Sequence, residues 1–270
     1  MQLPEMEIAS PQVHDLLQLD PDLRHLGCIG APSWARQTLA SCPCVVVRRA
    51  QAPAGQIAVG VRGPTRSERW GCFIFKDMIR QLLKPCQLLA FAQSSALSPR
   101  TPPFTTLRQL IERWRGLTLP WGPTGSVGFE LATGWPVTTS GSDLDVAIRT
   151  NVRISLEQAR SLYESATGLE TKVDIRVETP VCGFSLKEFA GRGPAAILVR
   201  VPTGIVLAKD PWGNEIGSMD PNYAAARSIL LTRDCGRLRK NECRRTDVQM
   251  NRRKGAATRP TSPGRKRLPP

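Results

Sequence analysis

One stretch constrains this chain more than any other. It is Ser140-Gly141-Ser142-Asp143-Leu144-Asp145-Val146-Ala147-Ile148, preceded by Gly125-Ser126-Val127-Gly128-Phe129-Glu130-Leu131-Ala132-Thr133-Gly134. Leu144, Val146 and Ile148 alternate with Asp143, Asp145 and Ala147, the period-two pattern of a strand with one buried face. Asp143 and Asp145 therefore share the polar face. Two carboxylates so close repel unless a cation lies between them. Magnesium fits, because it commonly joins one or two carboxylates to substrate phosphates. The small residues Gly125, Ser126 and Gly128 would let backbone N–H groups approach a phosphate. A lone Asp-x-Asp is more often a solvated strand end, so the weight rests on its company. A third carboxylate, Asp174, occurs in Lys172-Val173-Asp174-Ile175-Arg176-Val177-Glu178. Val173, Ile175 and Val177 form the apolar face there, which leaves Asp174 on the polar face of a second strand.

Around these strands the pattern predicts an α+β chain. Cys44-Val45-Val46-Val47-Arg48-Arg49 and Ile57-Ala58-Val59-Gly60-Val61-Arg62-Gly63 read as strands joined by a Pro/Gly turn. With Arg66, Arg69 and Trp70 they make a small β-containing N-terminal domain with a basic rim, residues 1–75. Met78, Leu82, Leu83, Leu88 and Leu89 have helical spacing over 76–92, broken at Pro85, and a polar linker follows to residue 103. Thr105 or Thr106 would cap a helix bearing Leu107, Leu110, Ile111 and Trp114, ended by Gly116. Ser155-Leu156-Glu157-Gln158 is a capping-box start. The Asp174 strand, a short helix over 185–191 and a hairpin around Pro202-Thr203-Gly204 complete a mixed-sheet domain, residues 104–231.

Net charge is +14, and its placement matters more than its size. Residues 222–270 hold 14 Lys/Arg against 3 Asp/Glu, whereas residues 1–221 hold 23 against 20. The basicity belongs to the tail, 232–270, which carries too little apolar surface to order itself. A nucleic-acid arm is one reading of it. A functionless extension past the natural end is the reading given more weight. No run of 18 apolar residues suggests a membrane span, and Met1 to Ser10 lacks the features of a secretory signal, so the cytoplasm is the expected location. The scattered cysteines fit reduced thiols better than zinc or a disulfide scaffold.

The Gly-Ser turn, the Asp-x-Asp and the later strand Asp together resemble the nucleotidyltransferase superfamily of the DNA polymerase beta type. Further stretches sharpen the resemblance: His14-Asp15-Leu16-Leu17, Val45-Val46-Val47-Arg48-Arg49, Val59-Gly60-Val61-Arg62-Gly63 with Arg66 and Arg69, Trp121 to Gly134, Ser142 to Asp145, and Val173-Asp174-Ile175 with Glu178-Thr179-Pro180. In that order, over about residues 11–225, they resemble the holo-acyl carrier protein synthase of malonate decarboxylase, also called phosphoribosyl-dephospho-CoA transferase. Cys72 to Ser98 and the tail beyond about Leu230 depart from that family's pattern.

The resemblance implies transfer of phosphoribosyl-dephospho-CoA from triphosphoribosyl-dephospho-CoA onto a serine of an apo acyl carrier subunit, with pyrophosphate leaving. It implies two magnesium ions held by Asp143, Asp145 and Asp174, with Asp174 also helping to deprotonate or position the attacking serine. Gly125, Ser126 and Ser142 would contact substrate, and Gly125 and Ser126 would cradle the departing pyrophosphate. Arg48, Arg62, Arg66 and Arg69 would bind phosphates or the acidic carrier, since guanidinium suits bidentate phosphate contacts; a solvated basic rim is the competing reading. His14, a single imidazole without a Cys or Ser partner, reads as structural rather than catalytic. A nucleotidyltransferase that adenylylates a small molecule or protein is the alternative within enzymes. A nucleic-acid binder acting through the tail is the alternative outside them, and the nearly balanced body argues against it. A decayed enzyme is the third, although all the carboxylates are present.

Overall fold

The β-branched runs at 44–47 and 56–62 become neighbouring antiparallel strands. The computed structural model describes residues 10–22, 30–65, 67–93, 101–192, 195–213 and 216. The expected tail, 232–270, and Arg66 lie outside the described residues. Strands β1 (Leu16–Leu19), β2 (Cys44–Val47), β3 (Gln56–Arg62), β4 (Arg69–Phe75) and β5 (Ile79–Leu83) form an antiparallel five-stranded sheet in the order β4-β3-β2-β1-β5.

This sheet is packed on both sides at its centre. Leu17, Leu19, Val45, Val47, Val59 and Val61 share one buried cluster with Ala35 and Leu39 of helix α1 (Ser33–Ser41). Leu16 and Cys44, on the opposite face, belong to the larger core of the second half of the chain. Each such side chain buried contributes about 1.5–3 kcal/mol, so both faces hold the sheet in place.

The segment 76–92 departs from the helical reading. Lys76–Met78 is a short 3-10 turn, Ile79–Leu83 is strand β5, and only Pro85–Gln93 is helix, α2. Leu82 and Leu83 pair with Leu17 and Leu16 across β1. A long-range partner has overridden a local spacing that fits either structure. Helix α3 (Pro102–Arg113) likewise starts earlier than expected, with Thr101 at the N-cap and Pro102 and Pro103 in its first turn, where proline is favoured. Thr106 instead lies buried inside it, its hydroxyl accepting the Thr171 N–H at 3.0 Å. The helix ends at Arg113, before Gly116.

The second sheet is mixed. It contains β6 (Trp121–Pro123), β7 (Leu144–Arg149), β8 (Val173–Glu178), β9 (Gly183–Ser185), β10 (Ile197–Val201) and β11 (Gly204–Ala208), in the order β11-β10-β9-β8-β7-β6. Among these pairs only β7 and β8 run parallel, joined through helix α5 (Leu156–Ser165). The expected capping box opens α5: the Gln158 N–H donates to Ser155 Oγ, and the Ser155 N–H donates to the Gln158 side chain. Helix α4 (Gly125–Thr133) packs beside β6 and β7, and α6 (Leu186–Gly191) beside α5. Among the described residues no helix is long and apolar enough to cross a membrane.

Candidate active site

The parallel β7/β8 register sets Asp145 directly opposite Asp174. Matched positions on adjacent strands project to the same face, so the two side chains stand side by side. Asp143 lies just before β7, two residues from Asp145, and its Oδ2 is 3.5 Å from Lys172 Nζ in an exposed pair. Burial pushes the Asp145 carboxyl above the usual aspartate range, and the charges of Asp174 and Asp143 push it further; His14 and Arg176 pull the other way without cancelling this. Among the described residues no donor hydrogen-bonds to the carboxylate of Asp145 or of Asp174.

Gly125 is fitted against Asp145. It has φ of +59°, and a Cβ there would stand 2.0 Å from Asp145 Oδ2. Both the backbone conformation and the space disfavour any side chain there. Gly125 opens α4, while the Thr124 N–H donates to the Asp145 carbonyl at 2.8 Å, which ties the helix start to the strand. The start of α4 thereby lies beside the carboxylate, and the free N–H groups of a helix start suit an anion. Ser126 is buried, at 8% exposure, in that first turn. Ser142 is used locally: its hydroxyl accepts the Thr139 N–H at 3.0 Å within the loop before β7.

Asp145 and Gly125 form one side of a cleft of about 600 Å³ whose other side is the N-terminal sheet. Arg48, Arg62, Arg69 and Trp70 line that opposite side. Arg48 lies across Gly71, where a Cβ would be 2.9 Å from its Cζ. Its Nε donates to the Val59 carbonyl at 3.1 Å, and its guanidinium lies 5.6 Å from the Phe73 ring centroid. Arg69 Nη1 donates to the Thr65 and Glu68 carbonyls. Three of the four arginines singled out from the sequence thus face one cavity with Asp145; the fourth, Arg66, is outside the described residues.

Sequence reasoning missed the corner where the two sheets meet. His14 also lines the cleft, and its Nε2 lies 2.9 Å from Glu178 Oε1. Arg49 Nη2 reaches Glu178 Oε2 at 2.5 Å. Burial alone would raise the Glu178 carboxyl, but the His14 hydrogen bond and the Arg49 charge outweigh it and hold Glu178 below the ordinary glutamate value. Next to it Arg149 Nη2 donates to Asp15 Oδ1 at 2.7 Å and to the Val13 carbonyl at 2.6 Å. Asp15 is fully buried, and that burial raises its carboxyl despite Arg149. Two signals were available: the family resemblance runs through His14-Asp15 and Glu178-Thr179-Pro180, and by parity Glu178 shares the polar face of β8 with Asp174 and Arg176.

The donor chemistry suits a hard divalent ion. Among the described residues no three His, Cys, Asp or Glu side chains close into a ready metal cage. A cation beside Asp145 would complete its shell with water and substrate oxygens, the ordinary habit of magnesium. Asp145 and Asp174, close together and without hydrogen-bond donors, are the residues that would hold it, with Asp143 at the edge.

Two family models cover nearly all of this architecture. The phosphoribosyl-dephospho-CoA transferase MdcG N-terminal domain matches residues 12–85, and the MdcG C-terminal domain matches residues 87–211. These matches run through Cys72 to Ser98, so the departure expected there does not hold. The chain is 37% identical over 209 residues to a phosphoribosyl-dephospho-CoA transferase of Pseudomonas putida, covering 76% of this chain and 97% of that protein. It is 36% identical over 212 residues to the enzyme of that name from Azotobacter vinelandii (75% and 94% covered), and 35% identical over 204 residues to that of Pseudomonas aeruginosa (76% and 95%). No solved structure matches the chain significantly. With both domain models matched in order across the two sheets that enclose the cleft, the chain belongs to the phosphoribosyl-dephospho-CoA transferase family.

Proposed function

We propose that this protein transfers a phosphoribosyl-dephospho-CoA unit from triphosphoribosyl-dephospho-CoA to a serine hydroxyl on the apo acyl carrier subunit of malonate decarboxylase, releasing pyrophosphate. The observation that carries the reading is the cleft itself, in which Asp145 and the start of α4 face Arg48, Arg62 and Arg69. A polyanion with a reacting phosphorus needs that combination. The arginines hold the phosphates and the CoA end, and the N–H groups after Thr124 cradle the leaving pyrophosphate oxygens. Asp145 and Asp174, with Asp143, are the side chains for two magnesium ions, which when bound neutralise the triphosphate and orient it for in-line displacement. The serine oxygen forms the new P–O bond as the bond to pyrophosphate breaks, and the serine proton is lost.

The test is a pyrophosphate-release assay with triphosphoribosyl-dephospho-CoA, magnesium and the apo carrier subunit, run on wild type and Asp145→Asn. Release matched by a mass gain on the carrier serine, both absent in the variant, supports the reading. Release from ATP instead, with no response to the CoA derivative, replaces it with adenylyl transfer.

A further inference from the structure

The fold holds His14 in a conformation that only several independent contacts can maintain. Its φ is +72°, and it is the one residue other than glycine with positive φ among those described. Such a conformation is disfavoured for a residue with a Cβ. The surroundings fix it from both sides. The His14 N–H donates to the Val47 carbonyl at 2.9 Å, and the Val47 N–H donates to the Asp15 carbonyl at 2.8 Å. The Gln12 N–H donates to Asp15 Oδ2 at 2.8 Å, and Arg149 clamps both Val13 and Asp15. Strain held this firmly is characteristic of functional positions.

The imidazole is held as well. Glu178 accepts at Nε2, and Glu178 is itself fixed by Arg49. A carboxylate at Nε2 keeps a proton on that nitrogen, so that in the neutral ring the lone pair is at Nδ1. A ring with one nitrogen bound to a buried carboxylate and no hydrogen-bond partner at the other among the described residues, lining the same cleft as Asp145, has the arrangement of an oriented general base.

We infer that His14 is the general base for the transfer, taking the proton of the attacking serine at Nδ1, with Glu178 as the positioning residue that sets its tautomer. This rests on the proposed reaction. As the serine oxygen bonds to phosphorus, its proton passes to Nδ1, the pyrophosphate leaves with the electron pair of the broken P–O bond, and the imidazolium then returns the proton to solvent. The role relieves Asp174 of proton transfer and leaves it as a ligand.

The test compares wild type, His14→Gly and His14→Asn, with the CoA substrate, magnesium and carrier, with and without added imidazole. Glycine and asparagine both accept positive φ, so the loop conformation survives either change. The expected result is a kcat lower by about 10²–10⁴-fold in both variants, with KM for the CoA substrate within about threefold of wild type. Imidazole should recover a large part of the loss in His14→Gly, where the ring has left a space, and none in His14→Asn. A wild-type kcat in His14→Gly overturns the proposal, and so does a loss expressed as a raised KM that imidazole leaves unchanged. An inactive wild type removes the underlying reaction instead, and the wild-type measurement identifies that case by itself.

Discussion

Asp145 and Asp174 are register partners on the only parallel strand pair among the described residues, and no hydrogen-bond donor separates their carboxylates. Sheet geometry therefore forces two like charges together, with Asp145 in the wall of the cleft, an arrangement that is unfavourable without a cation beside them. Sites built this way exchange stability for function, which makes the carboxylates themselves the most direct place to test the structure.

Asp145→Asn should stabilise the metal-free protein by about 1 kcal/mol, as removal of strained functional groups commonly does, while reducing transfer by on the order of 10²–10³-fold. Thermal melts with a chelator present, beside the pyrophosphate assay, check both halves. A variant less stable than wild type without metal would show that the carboxylate is satisfied in the folded protein.

The pH dependence follows from the same group. The folded chain holds the Asp145 proton more tightly than the unfolded chain, because burial and its two acidic neighbours raise its pKa. Without metal, its contribution to stability therefore falls as pH rises from the ordinary aspartate value through the raised one. Urea midpoints measured across the acidic range should show this slope in wild type and lose it in Asp145→Asn. Saturating magnesium should flatten it too, since the ion stabilises the ionised form.

Glu178 behaves in the opposite sense. Its folded pKa is depressed, so the stability it provides is complete above the ordinary glutamate value and disappears as pH falls through the folded one. Glu178→Ala strands the Arg49 guanidinium, whose side chain is only 12% exposed, and should cost about 3–5 kcal/mol in urea unfolding at neutral pH. A cost under about 1 kcal/mol would mean that the Arg49–Glu178 pair is relaxed in solution.

Gly125→Ala tests the close fit at the head of α4. A methyl group there collides with Asp145 Oδ2 and sits on a backbone of positive φ. The conformational part costs about 1 kcal/mol. The expected signature is a loss of transfer of about 100-fold or more with a weakened thermal response to magnesium, because the carboxylate must move aside. Ordinary turnover in this variant would show that Asp145 has room that the structure denies it.

Arg48→Ala should raise KM for the CoA substrate about tenfold, corresponding to ~1.4 kcal/mol, while leaving the thermal shift with magnesium alone intact. Isothermal titration with the nucleotide, with and without metal, separates the two effects. Loss of the magnesium response in this variant would place Arg48 in the metal site's support and not in phosphate binding.

The parts that local pattern could reach were legible in the sequence. The strands bearing Asp145 and Asp174 alternate cleanly because one face of each is buried, and Ser155 with Gln158 announces α5 within four residues. What escaped depended on distant partners or on unusual burial. β4 carries Phe73 and Phe75 on its exposed face, which hides the alternation of Cys72 and Ile74. β1 buries leucines on both faces and looks merely apolar, and β5 is a strand because β1 lies beside it. The cleft needed the three-dimensional structure outright. Arg48 and Asp145 are almost a hundred positions apart, and a lone histidine acquires meaning only once Glu178, 164 positions away, is found at its ring.

The clamp between Arg149 and Asp15 has a consequence for how the molecule comes into being. The strands of the N-terminal sheet are all synthesised by Leu83, yet the buried carboxylate at the root of β1 finds its cation 134 positions further on. Until Arg149 is made, a chain that closes that sheet lacks the cation that Asp15 meets in the finished fold, where burial raises its carboxyl. The N-terminal sheet thus gains this ion pair only once the second half of the chain is made. The cleft, lined by both sheets, waits on the same stretch of synthesis, because Asp145 lies only four positions before Arg149.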